Sequence, residues 1–417
     1  MGFSRDSDGR ATLSGARLEG LLQEAAVETP AYFYDLSAIA EEARAMVSAL
    51  GGPPNLVAYA MKANSAASIL RTVVAEGGGI EVVSQGELEL ALAAGAPPDR
   101  VVTTAVAKKD RELDRAIGAK IRSITLESVE ELPRVAARAR AQGAVANVSF
   151  RINPGVAIDT HAHVATGHEG AKFGIPVGDL GAAWERADSD PALRVVGVGA
   201  HVGSTLRDVE SYTASARVVC DVAKSRLATG RSLDFVDFGG GFGIDYVGDA
   251  PPPRPAEFLG AARALLAAEG LGALGLVVEP GRSMVAPHGV LVATVVQEKR
   301  TRARRWAFVD AAMNDLIRPA LYGAHHRIEP LERPPGGALW AVAGAVCESA
   351  DQFGEYAFGE TAPSRVAIRD AGAYGFVMAS EYNGRPLPAE VFVESGRVTH
   401  VSPSPGRDAW VKSRLRA

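Results

Sequence analysis

Short apolar runs rich in branched and aromatic residues recur along the first two thirds of the chain. They are LVAYAMK, GIEVVS, VVTTAV, SITLES, NVSFRIN, VVGVGAHVG, FVDFGGG and LGLVVEPGR, ending near residues 62, 84, 106, 128, 153, 203, 241 and 282. Residues of this kind fit a pleated surface, and the runs are short for helices. Between them lie alanine-rich stretches of helical periodicity, such as SILRTVVAEG, QGELELALAAG and PAEFLGAARALLAAEG. Eight strands alternating with helices predict a parallel sheet closed into a (β/α)8 barrel. An open doubly wound sheet is the rival, and eight evenly spaced units favour closure.

Beyond Arg282 the rhythm changes. GVLVATVVQEK, RWAFVDAAM, RVAIRDAG and AEVFVESGRVTHV read as strands without long helices between them. They predict a second, mostly antiparallel β domain. The expected division is a barrel over residues 37–285 and a sandwich-like or barrel-like β domain over residues 286–417. Residues of about 10–36 are expected to join the latter through the short strand AYFYDL. Ahead of Pro30 the chain reads as a flexible start, and Ser37 as the N-cap of the helix SAIAEEARAMVSAL.

Composition narrows the class without altering this outline. Of 417 residues, 47% are hydrophobic and 22% charged, as in an ordinary globular protein, and the formal net charge is -5. Nothing in that balance recommends nucleic acid or an anionic membrane as a partner. Arg300, Arg302, Arg304 and Arg305 cluster without interleaved aromatics and read as a solvated loop. Two cysteines cannot build a disulfide framework, which points to a reducing compartment. The opening MGFSRDSDGR has no apolar core of a signal peptide, and no apolar run reaches the ~20 residues needed to span a bilayer. A cytoplasmic location is expected.

In a barrel of this kind the active site is built at the carboxyl ends of the strands. Read in order, those ends carry Lys62, Glu81 with Ser84, Arg151 with Asn153, His201 with Ser204, the glycines of residues 239–243, and Glu279 with Gly281 and Arg282. Lys62 has two readings. It is a charge marking where a strand leaves the core, or a partly desolvated amine able to form an imine with a carbonyl. The GGGFG run is either a tight turn or a phosphate cradle. It is no dinucleotide fingerprint, since Ile244 stands where a third glycine is required. A lysine for an aldehyde, glycines for a phosphate, a carboxylate for a ring nitrogen and a histidine between them together meet the needs of pyridoxal phosphate.

RINPGV, HAHVATGHEGAKFGI, HVGS, DFGGGFGIDY, EPGRS, MNDLIRPALYGA, CESAD and GAYGFVMASEYNGRPLPAEV, in this order, resemble the diaminopimelate decarboxylases, in the family that also holds ornithine and arginine decarboxylases. The resemblance runs from about residue 29 to about residue 393. It implies a pyridoxal phosphate enzyme that decarboxylates meso-2,6-diaminopimelate to L-lysine, the last step of lysine biosynthesis. A homodimer with shared active sites is also implied. On this footing Lys62 resembles the cofactor-bearing lysine and His201 the ring-stacking histidine. Ser204, Gly240, Gly241, Gly281 and Arg282 resemble the cofactor contacts, with Glu279 on the pyridine nitrogen. Arg282, Arg318 and Tyr322 resemble binders of substrate carboxylate. Cys347 resembles the proton donor and Glu348 the carboxylate for the distal amine, both delivered by the partner subunit. Tyr374 resembles a residue shared by phosphate and substrate.

Taken without the resemblance, Arg318 reads as a surface arginine, Cys347 as an inert buried thiol against which the adjacent Glu348 and Asp351 argue, and Tyr374 as packing or, beside glycine, as a close approach to a ligand. His161, His163 and His168 have a spacing compatible with zinc, yet no cysteine lies near, and the stretch matches the family's active-site lid, so no metal is expected. Ala311, Ala312 and Ala350 stand where the family commonly has glycine, and Glu81 where aspartate is usual. These departures leave open a decarboxylase of another basic or carrier-bound amino acid. A non-catalytic cofactor-binding protein is a further alternative, against which the second domain and the CES motif argue.

Overall fold

In the computed structural model, which describes residues 2–155, 172–201 and 203–415, eight strands pair in parallel, each with the next, and the last returns to the first. They are β1 (Leu56–Ala60), β2 (Gly79–Val82), β3 (Val101–Thr103), β4 (Ser123–Leu126), β5 (Ala146–Asn153), β6 (Leu193–Gly199), β7 (Phe235–Asp237) and β8 (Gly275–Val278). Closure is carried by Val277 and Val278 of β8 beside Leu56 and Val57 of β1. The fold is therefore α/β, a barrel of the triosephosphate isomerase type, with a mostly antiparallel sheet in a second unit. Strands buried on both faces need no alternation, which is why these runs are continuously apolar. Leu56, Ala58, Val102, Val196, Phe235 and Val277 make a buried cluster of the barrel. Chain contacts divide the molecule into two units. One holds Glu42–Ile244 with Pro251–Ser283, the other Met1–Glu41, Asp245–Ala250 and Met284–Ala417.

The second unit is organised on the twelve-residue strand Gly289–Arg300. It pairs antiparallel with Ala31–Asp35, Arg305–Val309 and Arg365–Ile368. Two pairings in this unit are parallel, Ala31–Asp35 with Ala389–Glu394 and Arg305–Val309 with Leu339–Ala343. The flexible start expected before Pro30 is instead built. Three short strands lead into the helix Leu18–Ala25, whose Leu18, Leu21 and Leu22 pack on Phe33, Val290, Val391 and their neighbours. The apolar spacing i, i+3, i+4 in LEGLLQEA carries that helix. Ser37 does not cap the next helix, Leu36–Leu50. Buried Asp35 does, accepting from the Ala38 amide at 3.1 Å. Arg300, Arg304 and Arg305 are matched to Glu298, Glu355 and Glu360 on the surface. Among the described residues no helix is long and apolar enough to cross a membrane.

Glu390 shows how burial sets a pH response in this sheet. It is buried, accepts from the Tyr34 hydroxyl at 2.9 Å, and burial pushes its carboxyl up to about 7. The folded form thus keeps a proton that the unfolded chain releases near its ordinary 4.5. The contribution to stability is complete below that ordinary value and falls as pH rises toward about 7. Glu390→Gln stays neutral and still accepts from Tyr34. It should raise the apparent melting temperature at pH 8 more than at pH 5, and equal shifts at both would contradict this account.

Candidate active site

A cavity of about 380 Å³ opens in the barrel unit, lined among others by Lys62, Arg151, Phe173, His201, Asp237 and Glu279. β1 ends at Ala60 and the chain tightens into the turn Met61–Ala63, which aims Lys62 into the cavity. Its amine is not set among apolar groups as a desolvated lysine would be. It lies 2.6 Å from Glu81 Oε2, with side-chain exposures of 37% for Lys62 and 0% for Glu81. The other Glu81 oxygen accepts from the Thr104 hydroxyl. Ser84 serves as a helix cap, accepting from the Glu87 amide at 3.2 Å.

Residues far apart in the chain meet here because backbones approach closely. The Ala60 amide donates to the Pro280 carbonyl at 2.9 Å. A Cβ on Gly281 would lie 3.2 Å from the Cβ atoms of Ala60 and Ala63, so a side chain there would need the EPGR loop or the end of β1 to give by a few tenths of an ångström. Glu279 is buried at the end of β8, and among the described residues its Oε1 has no hydrogen-bond partner. Burial holds both Glu279 and Asp237 of β7 above the usual carboxylate range, Asp237 at about 7, and the Asp237 and Glu81 carboxylates push Glu279 further in the same direction. Lys62 and Arg151 act in the opposite direction on Glu279. Arg151 is itself tied to buried Glu127 at 3.1 Å, with its guanidinium 4.6 Å from the Phe173 ring centroid.

His201 is kept neutral. Burial, Arg151 and Lys62 all lower its pKa well below the ordinary imidazole value. Its Nδ1 accepts from the Gly240 amide at 3.3 Å, which leaves the proton of the neutral ring on Nε2. Within the glycine loop the Gly239 amide is taken by Asp237 Oδ1 and the Gly243 amide by the Leu206 carbonyl. Glycine is required for packing as much as for anion contact. A Cβ on Gly240 would lie 1.9 Å from the Glu279 carbonyl oxygen, and one on Gly241 2.2 Å from that of Gly203. Across the loop Arg282 donates to Ser204 Oγ from Nη2 at 3.0 Å and from Nε at 3.3 Å, which brings a cation and a hydroxyl together.

The remaining residues singled out from the sequence lie in the other unit. Arg318 opens the short helix Arg318–Tyr322 and is buried rather than superficial, with the half-buried Tyr322 at the helix end. Tyr374 holds φ +55 between Ala373 and Gly375, a left-handed backbone uncommon for a bulky residue, such as collects at functional sites. Cys347 is exposed, not a buried thiol. Its amide donates to Asn383 Oδ1 at 3.1 Å, and Glu348 accepts from the Tyr382 hydroxyl at 2.5 Å. Tyr382 and Asn383 were missed by sequence reasoning, although they sit inside the quoted SEYNGRP. Cys220 is the buried thiol, pushed up to about 11 by burial. Ala311, Ala312 and Ala350 are absent from the left-handed residues, so their methyl groups sit at ordinary backbone angles. His161, His163 and His168 lie outside the described residues. Among the described residues no cluster of histidine, cysteine and acidic groups could hold a metal ion.

Pyridoxal phosphate fits this set. The buried Glu279 oxygen that lacks a partner suits a protonated ring nitrogen, the neutral His201 ring suits a flat aromatic face, and Lys62 is an amine within the same cavity. Gly241, Ser204 and Arg282 suit a phosphate.

Comparison with known proteins agrees with that fit. A family model described as pyridoxal-dependent decarboxylase, pyridoxal binding domain, matches residues 36–286. The chain is 38% identical over 374 residues to diaminopimelate decarboxylase of Zymomonas mobilis, covering 88% of each. Its structure resembles diaminopimelate decarboxylase from M. jannaschii in complex with L-lysine, with a TM-score of 0.92 at 31% identity over 100% of this chain and 98% of that one. The Helicobacter pylori enzyme complexed with L-lysine gives a TM-score of 0.88 at 35% identity, over 95% and 99% of the two chains.

Proposed function

The chain belongs to the pyridoxal-dependent decarboxylase family, and on that premise we propose that it removes carbon dioxide from meso-2,6-diaminopimelate and yields L-lysine. The observation that carries this reading is the convergence of Lys62, neutral His201 and buried Glu279 on one cavity. Relatives of near-equal length name the substrate. When bound, pyridoxal phosphate supplies an aldehyde for amines and a protonated ring that takes up the electron pair left by the departing carboxylate.

The chain's own groups divide the remaining work. Lys62 presents the amine for the aldehyde, and Glu81 with Thr104 holds that amine at the strand end. Glu279 holds a proton at the ring nitrogen, in a site dry enough to keep that contact strong. His201 offers an uncharged face to the ring, so no second cation competes there. Ser204, Arg282 and the Gly241 amide receive the phosphate. Arg318, Tyr322 and Tyr374 receive substrate carboxylate, for which a planar guanidinium is the matched donor. Cys347 delivers the proton that replaces carbon dioxide on the α-carbon, and Glu348 binds the distal amine. The exposure of Cys347, Glu348 and Tyr382 supports their use by a second copy of the chain in a homodimer. An exposed working thiol also favours the reducing cytoplasm.

Product analysis tests the reading. Supplied with cofactor, the protein should release carbon dioxide and L-lysine from meso-diaminopimelate. Its kcat/KM for ornithine, arginine and lysine should be lower by on the order of 10²-fold or more, because each leaves a buried polar partner unmatched. Comparable release from ornithine or arginine would move the assignment to a different basic amino acid.

A further inference from the structure

We infer that His326 is a positioning residue that sets the plane of the Arg318 guanidinium, so that the fork meets a carboxylate in register. The inference rests on the proposed role of Arg318 in binding substrate carboxylate. Both side chains are buried, Arg318 at 5% and His326 at 1% exposure. Arg318 Nη1 lies 2.6 Å from His326 Nε2, and His326 Nδ1 lies 2.8 Å from the Arg369 carbonyl oxygen. These partners leave the imidazole one form. A carbonyl only accepts, so Nδ1 carries the hydrogen; a guanidinium only donates, so Nε2 is a bare lone pair. The ring is therefore neutral and locked in the Nδ1–H tautomer.

The rest of the surround fixes the same orientation. Tyr246 lies with its ring centroid 4.6 Å from Arg318 Cζ and meets the His326 ring edge-on at 5.2 Å. The Tyr246 ring and His326 Nε2 thus hold the guanidinium at two separate points, the ring near Cζ and the imidazole at Nη1, which restricts its rotation. His326 is anchored to the sheet in turn. The Arg369 amide donates to the Arg327 carbonyl at 2.8 Å, and the Tyr356 hydroxyl donates to the His326 carbonyl at 2.7 Å. Arg327 is paired with Asp370 at 2.8 Å on the next residue. A donor fork carried on such a frame arrives oriented, where a free arginine would have to be ordered by its ligand.

Three variants in the cofactor-loaded, full-length protein test this. His326→Asn keeps a donor near the Arg369 carbonyl and loses the acceptor facing Arg318. His326→Gln places an amide oxygen close to the Nε2 position and keeps that acceptor. Arg318→Met removes the fork. His326→Asn should raise KM for meso-diaminopimelate roughly 10-fold to 100-fold with kcat held within about threefold, the pattern of a displaced binding group. His326→Gln should recover most of that loss. An unchanged KM for His326→Asn beside a raised KM for Arg318→Met would overturn the positioning role alone. Equal damage by the Asn and Gln variants would also overturn it, assigning the histidine to packing. An unchanged KM for Arg318→Met would instead overturn the carboxylate-binding role of Arg318.

Discussion

Replacing Lys62 abolishes decarboxylation, with an expected fall on the order of 10⁴-fold or more, as when a group that acts covalently is lost. The form of the substitution matters, because Lys62 is also the counter-ion of Glu81, whose side chain is wholly buried. Lys62→Ala would strand that carboxylate, and an uncompensated buried charge destabilises a fold by about 3–5 kcal/mol. A loss of activity in that variant alone could then be a loss of folding. Lys62→Arg separates the two effects. It retains a cation beside Glu81, yet a guanidinium stays protonated and offers no amine to an aldehyde. The arginine variant should melt close to the parent, release no carbon dioxide and take up no borohydride-fixed cofactor at position 62. Either variant retaining more than about 1% of parental turnover would refute the assignment of Lys62.

Gly240→Ala should be nearly as damaging without touching a reacting group. The new Cβ would fall 1.9 Å from the Glu279 carbonyl oxygen, 2.6 Å from its carbon and 3.2 Å from the Pro280 nitrogen. All three are backbone atoms, so no side-chain rotation can relieve the clash, and β8 must part from the loop after β7. Glu279 moves with its backbone, and so does the amide that holds His201 Nδ1. A displacement of that kind near the ring and phosphate contacts should weaken pyridoxal phosphate binding on the order of 100-fold. Overpacking should also lower stability by about 1–3 kcal/mol. Gly260→Ala is the matched control. Gly260 lies within the helix Pro255–Ala268 with nothing within 4 Å of its missing Cβ. That substitution should stabilise by about 0.5–1 kcal/mol and leave cofactor binding unaltered. Equal behaviour of the two variants in cofactor titration would contradict the account of the glycine loop.

The period of the apolar residues determined the barrel. Eight evenly spaced strand and helix units favoured closure over an open doubly wound sheet, so the count and spacing pointed to the fold class. The strand-end rule then led from the same pattern to Lys62, Arg151, His201 and Glu279, which line one cavity. What the linear chain did not contain was partnership. Neither reading of Lys62, a charge leaving the core or a partly desolvated amine, supplied its partner, because Glu81, which faces it across the sheet, is 19 residues away. Ser84 stood among the strand-end candidates because a cap and a site residue look alike before the helix is placed. The N-terminal helix was read as a loose start because its leucines have value only against Phe33 and Val391. His326 gave no signal at all, since a histidine acquires its tautomer and its task from the two groups that flank it. Periodicity is a property of neighbours along the chain and survives in the sequence; ionisation state, orientation and clash depend on neighbours in space, which folding alone supplies.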